Sequence, residues 1–342
     1  VSKDALGLSR GRRLVLWLIG LIALLTIAAG VVLGGFAYLN YQFASPTDAP
    51  DVARTFNVPD GAGYSRVADL LQDEGLIESA RTFKLVTRLR NPDIRLVPGE
   101  FRLSPRSSMA EISRVLEEGK VVQYRFTAPE GLTVAQVLRL MDADPVLVDD
   151  DPDAPAEGSL LPETYLFPRG TTQSDLVAQM VSAHDAALRE LWASREAGLP
   201  VATPAEAVTL ASIVEKETGM DGERHKVAGV FTNRLRRGMR LESDPTIIYG
   251  ITKGEPLGRG LRRSEIDTKT AWNTYQIDGL PPTPIANPGR GALAAVMRPA
   301  KTDALFFVAD GTGGHAFAAT YREHLRNVAK WRAIERQRSR GG

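Results

Sequence analysis

The longest run of one polarity in this chain lies near its start. From Leu14 to Ser45 no residue is charged, and positions 14–39 (LVLWLIGLIALLTIAAGVVLGGFAYL) are almost continuously apolar. As a helix this stretch would be about 39 Å long, enough to cross a hydrocarbon core of about 30 Å with some tilt. Trp17 at one end and Tyr38 and Tyr41 at the other fall where interfacial aromatics sit. Residues 1–13 carry four basic side chains and one acid, which predicts a cytoplasmic N-terminal flank and export of everything after residue 40. A cleavable signal peptide would have a shorter apolar region followed by a small-x-small site. The pattern therefore predicts a single-span anchor.

Beyond it the pattern changes period repeatedly. Residues 40–51 read as a linker, and a small α/β unit follows over 52–128. Within that unit, RTFNVPDG is a strand and turn, SRVADLLQDEGLI an amphipathic helix ending at Gly75, and ARTFKLVTRLR a second helix. VPGEFRLSP is a strand, SMAEISRVLEEGK a third helix, and VVQYRFTAPEG a further strand. Residues 149–158 (DDDPDAPAEG) are acidic and rich in Pro and Gly, marking a boundary or loop inside a larger mixed domain over 129–342. The expected class is α+β.

The larger domain holds the most informative helices. Thr203-Pro204-Ala205-Glu206 supplies an N-cap hydroxyl, a proline at the first helical position and a glutamate at the third. Ala207, Leu210, Ala211, Val214 and Thr218 then recur on one stripe, with Gly219 expected as a left-handed cap. A second helix should start from Asp221, bury Val227, Val230, Phe231 and Leu235, and stop at Gly238. Its other face carries Arg224, His225, Lys226, Arg234, Arg236 and Arg237, for most of which solvation is expected. Ser243-Asp244-Pro245-Thr246 opens a short helix that turns Ile247, Ile248 and Tyr249 inward. Later, ALFFVADGTGGHAF reads as a β-hairpin, and Thr320 with Glu323 forms a capping box before a final helix with a basic tail.

Composition removes whole classes. There is no cysteine, so no disulfide can staple the exported part. A net charge of +1 and the absence of a nucleic-acid motif argue against nucleic acid as a partner. The four histidines, at 184, 225, 315 and 324, show no paired spacing, so neither a metal site nor a cofactor is expected.

The remaining chemistry centres on Glu215-Lys216-Glu217 at the end of the first helix. Glu217 follows Ile213 and Leu210 on one side of the wheel, while Glu215 lies beside Ala211 and Val208. Partial burial and the negative end of the helix dipole would both raise a carboxyl pKa there, as a glycosidic general acid requires. The wheel alone does not choose between the two, and a solvated, charged helix end is the bland alternative.

The run 211–250 (ASIVEKETGMDGERHKVAGVFTNRLRRGMRLESDPTIIYG) closely resembles the MltG/YceG-like family of endolytic murein transglycosylases. The resemblance extends through 271–282 (AWNTYQIDGLPP) and 305–317 (LFFVADGTGGHAF). EGSLLPETYLFPRG (157–170) resembles the motif opening that family's catalytic domain, although Ser159 and Leu161 stand where the family usually has an aromatic residue and phenylalanine. The unit over 52–128 resembles the family's LysM-like subdomain. The resemblance implies a membrane-anchored enzyme of the inner membrane, with its catalytic domain outside the cytoplasm, acting on peptidoglycan glycan strands and open to peptidoglycan synthases as partners. It places the acid at Glu217, and the candidate cleft residues are Glu163, Asn233, Asp244, Thr246, Tyr249, Asn273, Tyr275 and His315, of which Asn273 and Tyr275 precede a long Pro/Gly-rich loop (279–291) and offer the amide and aromatic groups that sugar rings use. It implies cleavage of the β-1,4 bond from N-acetylmuramic acid to N-acetylglucosamine, leaving 1,6-anhydromuramyl ends. The competing readings are a muramidase pairing Glu217 with Asp244 or Glu163, a non-catalytic wall-binding scaffold and, more remotely, a metal-dependent amidase.

Overall fold

The computed structural model describes residues 10–47, 52–220 and 222–341. The chain divides into two compact units, Val1–Gln123 and Tyr124–Gly342.

The first unit begins with α1 (Arg10–Ala44), whose apolar side chains from Leu14 to Val32 are largely exposed. By length and composition it is able to cross a membrane. The helix does not stop at residue 39 but runs on to Ala44, through part of the expected linker. The cause is packing. Phe43 is wholly buried and Leu39 partly so, in the same apolar cluster as the rest of this unit. The Arg90 guanidinium lies 4.8 Å from the centre of the Phe43 ring and donates to Asn40 at 2.9 Å. Residues 48–51 of the linker lie outside the described residues.

Strand β1 (Arg54–Val58), helices α2 (Tyr64–Asp73) and α3 (Ala80–Arg90), strand β2 (Gly99–Leu103) and helix α4 (Met109–Glu118) follow in the order that the periodicity predicts. β1 and β2 pair antiparallel with Phe56 opposite Phe101, both fully buried against Val67, Leu71, Phe83 and Leu116. Ser108 and Glu111 form a complete capping box on α4, and Gly119 ends it at φ +65°.

The second unit contains β3 (Gln123–Thr127), α5 (Val134–Asp142), β4 (Thr164–Pro168), α6 (Gln173–Ala193), α7 (Pro204–Glu217), α8 (Arg224–Arg236), α9 (Asp244–Thr252), α10 (Arg263–Asp267), α11 (Arg290–Met297), β5 (Phe306–Ala309), β6 (His315–Ala318) and α12 (Tyr321–Gly341). β3 pairs with β4, and β5 with β6 in an antiparallel hairpin. The class is thus mixed helix and sheet, with small two-stranded sheets tied together by helices.

Helix α7 is the spine of this unit. It packs on α11, α8 and α9, and every residue from Ala207 to Glu215 is buried. A single core-facing stripe therefore understates it: Val208, Thr209, Ser212 and Ile213 are enclosed as well. The hydroxyls inside are accounted for. Ser212 donates to the Thr209 carbonyl and accepts from the Ile285 amide, at 2.7 and 3.0 Å. Gly229 on α8 lets that helix approach the segment before β5, since a Cβ there would lie 2.6 Å from the Ala300 carbonyl oxygen.

Candidate active site

The site forms where α7 ends beneath the start of α9. Thr203 caps α7 through the Glu206 amide, as its sequence suggests, but the other end departs from expectation. Thr218 leaves the helix in an extended conformation (φ −145°, ψ 128°), and Gly219 is not left-handed. The Thr218 hydroxyl accepts from the Met220 amide at 3.1 Å and so turns the chain without a glycine cap. Glu217 is thereby left as the last helical residue, aimed at the segment entering α9.

There Ser243, itself buried, donates its hydroxyl hydrogen to Glu217 Oε1 at 2.5 Å. Ser243 is the N-cap residue of α9, yet its side chain makes no cap bond and is directed to the glutamate instead. Its backbone is fixed instead. The Ser243 amide donates to Thr274 Oγ1 (2.9 Å), its carbonyl accepts from the Thr246 hydroxyl (2.6 Å), and the two threonine hydroxyls are 2.9 Å apart. Ser243, Thr246 and Thr274 are all buried, so this is a closed polar brace behind the carboxyl group.

Burial pushes the Glu217 pKa up to about 7. The Ser243 hydrogen bond works against that rise, the charge of Asp244 adds to it, and the charges of His315 and Arg234 oppose it. A carboxyl group poised there can give a proton and take one back near neutral pH. Oε1 accepts from Ser243, which leaves Oε2 as the carboxyl oxygen not held by that bond.

The other nominated residues separate into three groups. Asp244 is exposed beside Glu217 and accepts from the Tyr275 hydroxyl at 2.8 Å. Burial raises the pKa of that hydroxyl, and the Asp244 charge adds to the rise. His315 sits at the start of β6 with its Nδ1 2.7 Å from Glu223 Oε2, while its amide donates to Glu223 Oε1 at 2.9 Å. Asp244, Tyr275 and His315 lie within electrostatic reach of Glu217. Thr246 belongs to the brace behind it, wholly buried.

Asn233, Asn273, Tyr249 and Glu163 are placed otherwise. Asn233 spends its amide on the Thr302 and Ala304 carbonyls at 2.7 and 3.1 Å, clamping α8 to the approach of β5. Asn273 is fully buried and donates to the carbonyls of Glu265, Ile266 and Thr268, so it shapes its loop from within. Tyr249 is buried with its hydroxyl donating to Glu157 at 3.3 Å, and burial raises its pKa to about 12. Glu163 is exposed at the start of β4, and its contacts are with its own strand pair. Tyr165 beside it is core, donating to the Leu161 carbonyl at 2.7 Å.

Geometry also distinguishes the two glutamates. Glu215 is buried on the opposite flank, accepts from the Gly289 amide at the N-terminus of α11 (2.9 Å) and pairs with Arg224 (3.3 Å). A carboxylate at a helix N-terminus meets unpaired N–H groups and a favourable dipole. Arg224 in turn reaches Glu130 at 2.6 Å. Glu215 is therefore a tie between helices. On the basic face of α8, His225, Lys226, Arg236 and Arg237 are exposed as expected, whereas Arg224 and Arg234 are buried; Arg234 donates to the Leu305, Arg240 and Leu241 carbonyls and to Glu242. Asp221, expected to cap α8, lies outside the described residues. The sequence pattern does not single out Ser243, Thr274 or Glu223 as site residues. Only the serine carries a signal, an N-cap position directly before Asp-Pro.

The model of the YceG-like family matches residues 56–330. The chain belongs to that family. It is 27% identical over 334 residues to an endolytic murein transglycosylase of Bacillus subtilis, covering 88% of this chain and 91% of the relative. It is 29% identical to an endolytic murein transglycosylase of Streptococcus pneumoniae over 363 residues, covering 90% of this chain but 64% of that longer protein. A crystal structure of a yceG-like protein from Listeria monocytogenes superposes with a TM-score of 0.50 at 27% identity, covering 80% of this chain and 98% of that one.

Proposed function

We propose that this YceG-like chain is an endolytic peptidoglycan lytic transglycosylase anchored in the cytoplasmic membrane by α1, with both folded units outside the cytoplasm. The family supports the substrate class. The observation that carries the chemistry is Glu217, held by Ser243 and raised to a pKa of about 7.

In the proposed reaction, Glu217 Oε2 protonates the oxygen bridging N-acetylmuramic acid to N-acetylglucosamine as the bond to the anomeric carbon breaks. The C6 hydroxyl oxygen of the same muramyl residue then bonds to that carbon and gives its proton to the Glu217 carboxylate. One C–O bond breaks, one forms, the glutamate is restored and no water is consumed. An intramolecular nucleophile makes a second carboxylate unnecessary, whereas an ordinary glycosidase requires one. Ser243 serves both halves: it accompanies the carbonyl oxygen of the acid and stabilises the charge of the base.

The nearby Asp244 favours a second reading, a muramidase in which that carboxylate activates water. Mass spectrometry of products from purified, uncross-linked glycan strands separates the two. Anhydromuramyl ends are expected from the wild-type chain and none from Glu217→Gln. Reducing ends carrying one added water would establish the hydrolase instead. Residues 52–128, which we read as a LysM-like subdomain, fit a role in gripping the strand. Deletion of residues 52–120 should raise KM more than it lowers kcat.

A further inference from the structure

A groove of about 450 Å³ runs along the flank of α9, between that helix, the loop before α5 and the turn after α9. Its walls are largely aliphatic, from Leu132, Pro245, Ile248, Leu257 and Ile285, with the Tyr249 ring and the Arg139-paired Glu255 carboxylate also lining it and Lys216 at one side. It touches the site at two points in the chain: Lys216 immediately precedes Glu217, and Pro245 immediately follows Asp244. The walls are braced. Gln136 donates to the Gly254 carbonyl at 2.9 Å, and Arg139 pairs with Glu255 across the same seam. Gly254 itself, at φ +99°, packs so closely on Thr133 that a side chain would collide with it. The groove is thus a fixed feature of the fold.

Its chemistry is not that of a sugar subsite. A pyranose offers a rim of hydroxyls and asks for many polar partners, whereas the larger part of this surface is aliphatic and its polar groups are partly engaged, Gln136 with the Gly254 carbonyl and Glu255 with Arg139, leaving Lys216 as the cation at its side. Among the described residues, the hydrogen-bond partner of Lys216 is the Gly131 carbonyl oxygen at 3.0 Å, and no carboxylate pairs with it. That combination suits a short peptide of methyl-bearing residues followed by a carboxylate.

Peptidoglycan supplies such a segment at the required place. The muramyl residue whose anomeric carbon reacts carries, on its own ring, a lactyl-linked stem that begins with alanine and an acidic residue. The stem must therefore leave the site within one sugar's width. We propose that this groove is a binding site for the stem peptide of the muramyl residue being cleaved, with the aliphatic walls receiving lactyl and alanyl methyls and Lys216 receiving the carboxylate. The assignment rests on the proposed reaction and adds a substrate requirement to it.

The test compares two uncross-linked glycan substrates, one bearing stems and one stripped of them by an amidase, with wild-type, Lys216→Met and Leu257→Ser full-length protein. Wild type should show a kcat/KM on stem-bearing strands at least about ten-fold above that on stripped strands, and each substitution should reduce this ratio by about ten-fold. The ratio is insensitive to any fraction of variant that fails to fold. Wild-type cleavage of both substrates at equal efficiency, or a ratio unmoved by both variants, overturns the stem site while leaving the lytic reaction standing. Cleavage of neither substrate by the wild-type chain overturns the reaction and the site with it.

Discussion

The Ser243 hydroxyl and Glu217 Oε1 are joined by a 2.5 Å hydrogen bond, which links the N-cap residue of α9 to the last residue of α7. The bond opposes the effect of burial on the glutamate, which is otherwise strongly biased toward the neutral acid. Removing it should leave the general acid intact and weaken the general base. Ser243→Ala is expected to move the basic limb of the kcat pH profile upward from about 7 by about one unit, and to lower the maximal rate by about ten-fold. A pH-rate series on purified strands checks this. A variant slowed equally at all pH values would make the serine merely structural.

Glu217 carries a stability cost that depends on pH. Its folded pKa of about 7 lies above the ordinary value of 4.5. Well below 4.5 the group is neutral in both folded and unfolded chains and contributes nothing. Between 4.5 and about 7 the unfolded chain ionises while the folded one holds its proton, so stability falls as pH rises. Glu217→Gln should therefore gain up to ~3 kcal/mol over wild type at pH 8 and almost nothing at pH 4. Denaturant unfolding at the two pH values measures the difference. The same variant should lose about 10⁴-fold or more in activity, because in the proposed reaction one residue serves as both acid and base.

Glu215→Gln should behave in the opposite way. It weakens the tie among α7, α11 and Arg224 without touching the reacting carboxyl group. The expected cost is about 1–3 kcal/mol, less than for a wholly abandoned buried charge because Arg224 keeps Glu130. At saturating substrate, kcat per folded molecule should stay within about two- to three-fold of wild type, since the loss of transition-state stabilisation expected is small. A loss matching that of Glu217→Gln, with folding intact, would assign chemistry to this residue too.

Gly229→Ala tests how α8 is seated. Intrinsic helix propensity favours alanine by about 1 kcal/mol. The added methyl, however, would meet the Ala300 carbonyl oxygen at 2.6 Å and the Thr302 methyl at 2.9 Å. The collision should win, giving a net destabilisation of about 1–3 kcal/mol in thermal or denaturant unfolding. A more stable variant would show that this segment yields.

The elements of both units were legible because their signals are local. Ser108 with Glu111, Thr203 with Pro204, and the glycine-rich turn before His315 each specify a boundary within a few residues. The acid was less legible. Helical periodicity placed Glu215 and Glu217 on different flanks but could not rank them, because their partners, Gly289 and Ser243, are 74 and 26 residues away along the chain. Burial of Arg224 and Arg234 was hidden for the same reason: their carbonyl and carboxylate partners come from other segments. Asn273 misleads in a related way. A polar side chain in a long loop suggests a ligand contact, but its amide holds the loop's own carbonyls together.

The unbroken course of α1 into the first unit has a mechanical consequence. On the proposed membrane placement, Phe43 and Leu39 bury the helix end in the folded unit, and no swivel separates the two over Arg10–Ala44. A helix of this kind is a post rather than a string. It sets the height of the unit above the bilayer, and any tilt of the helix within the lipid leans the unit by the same angle. The thickness of the bilayer would then govern which layer of the wall this unit can reach.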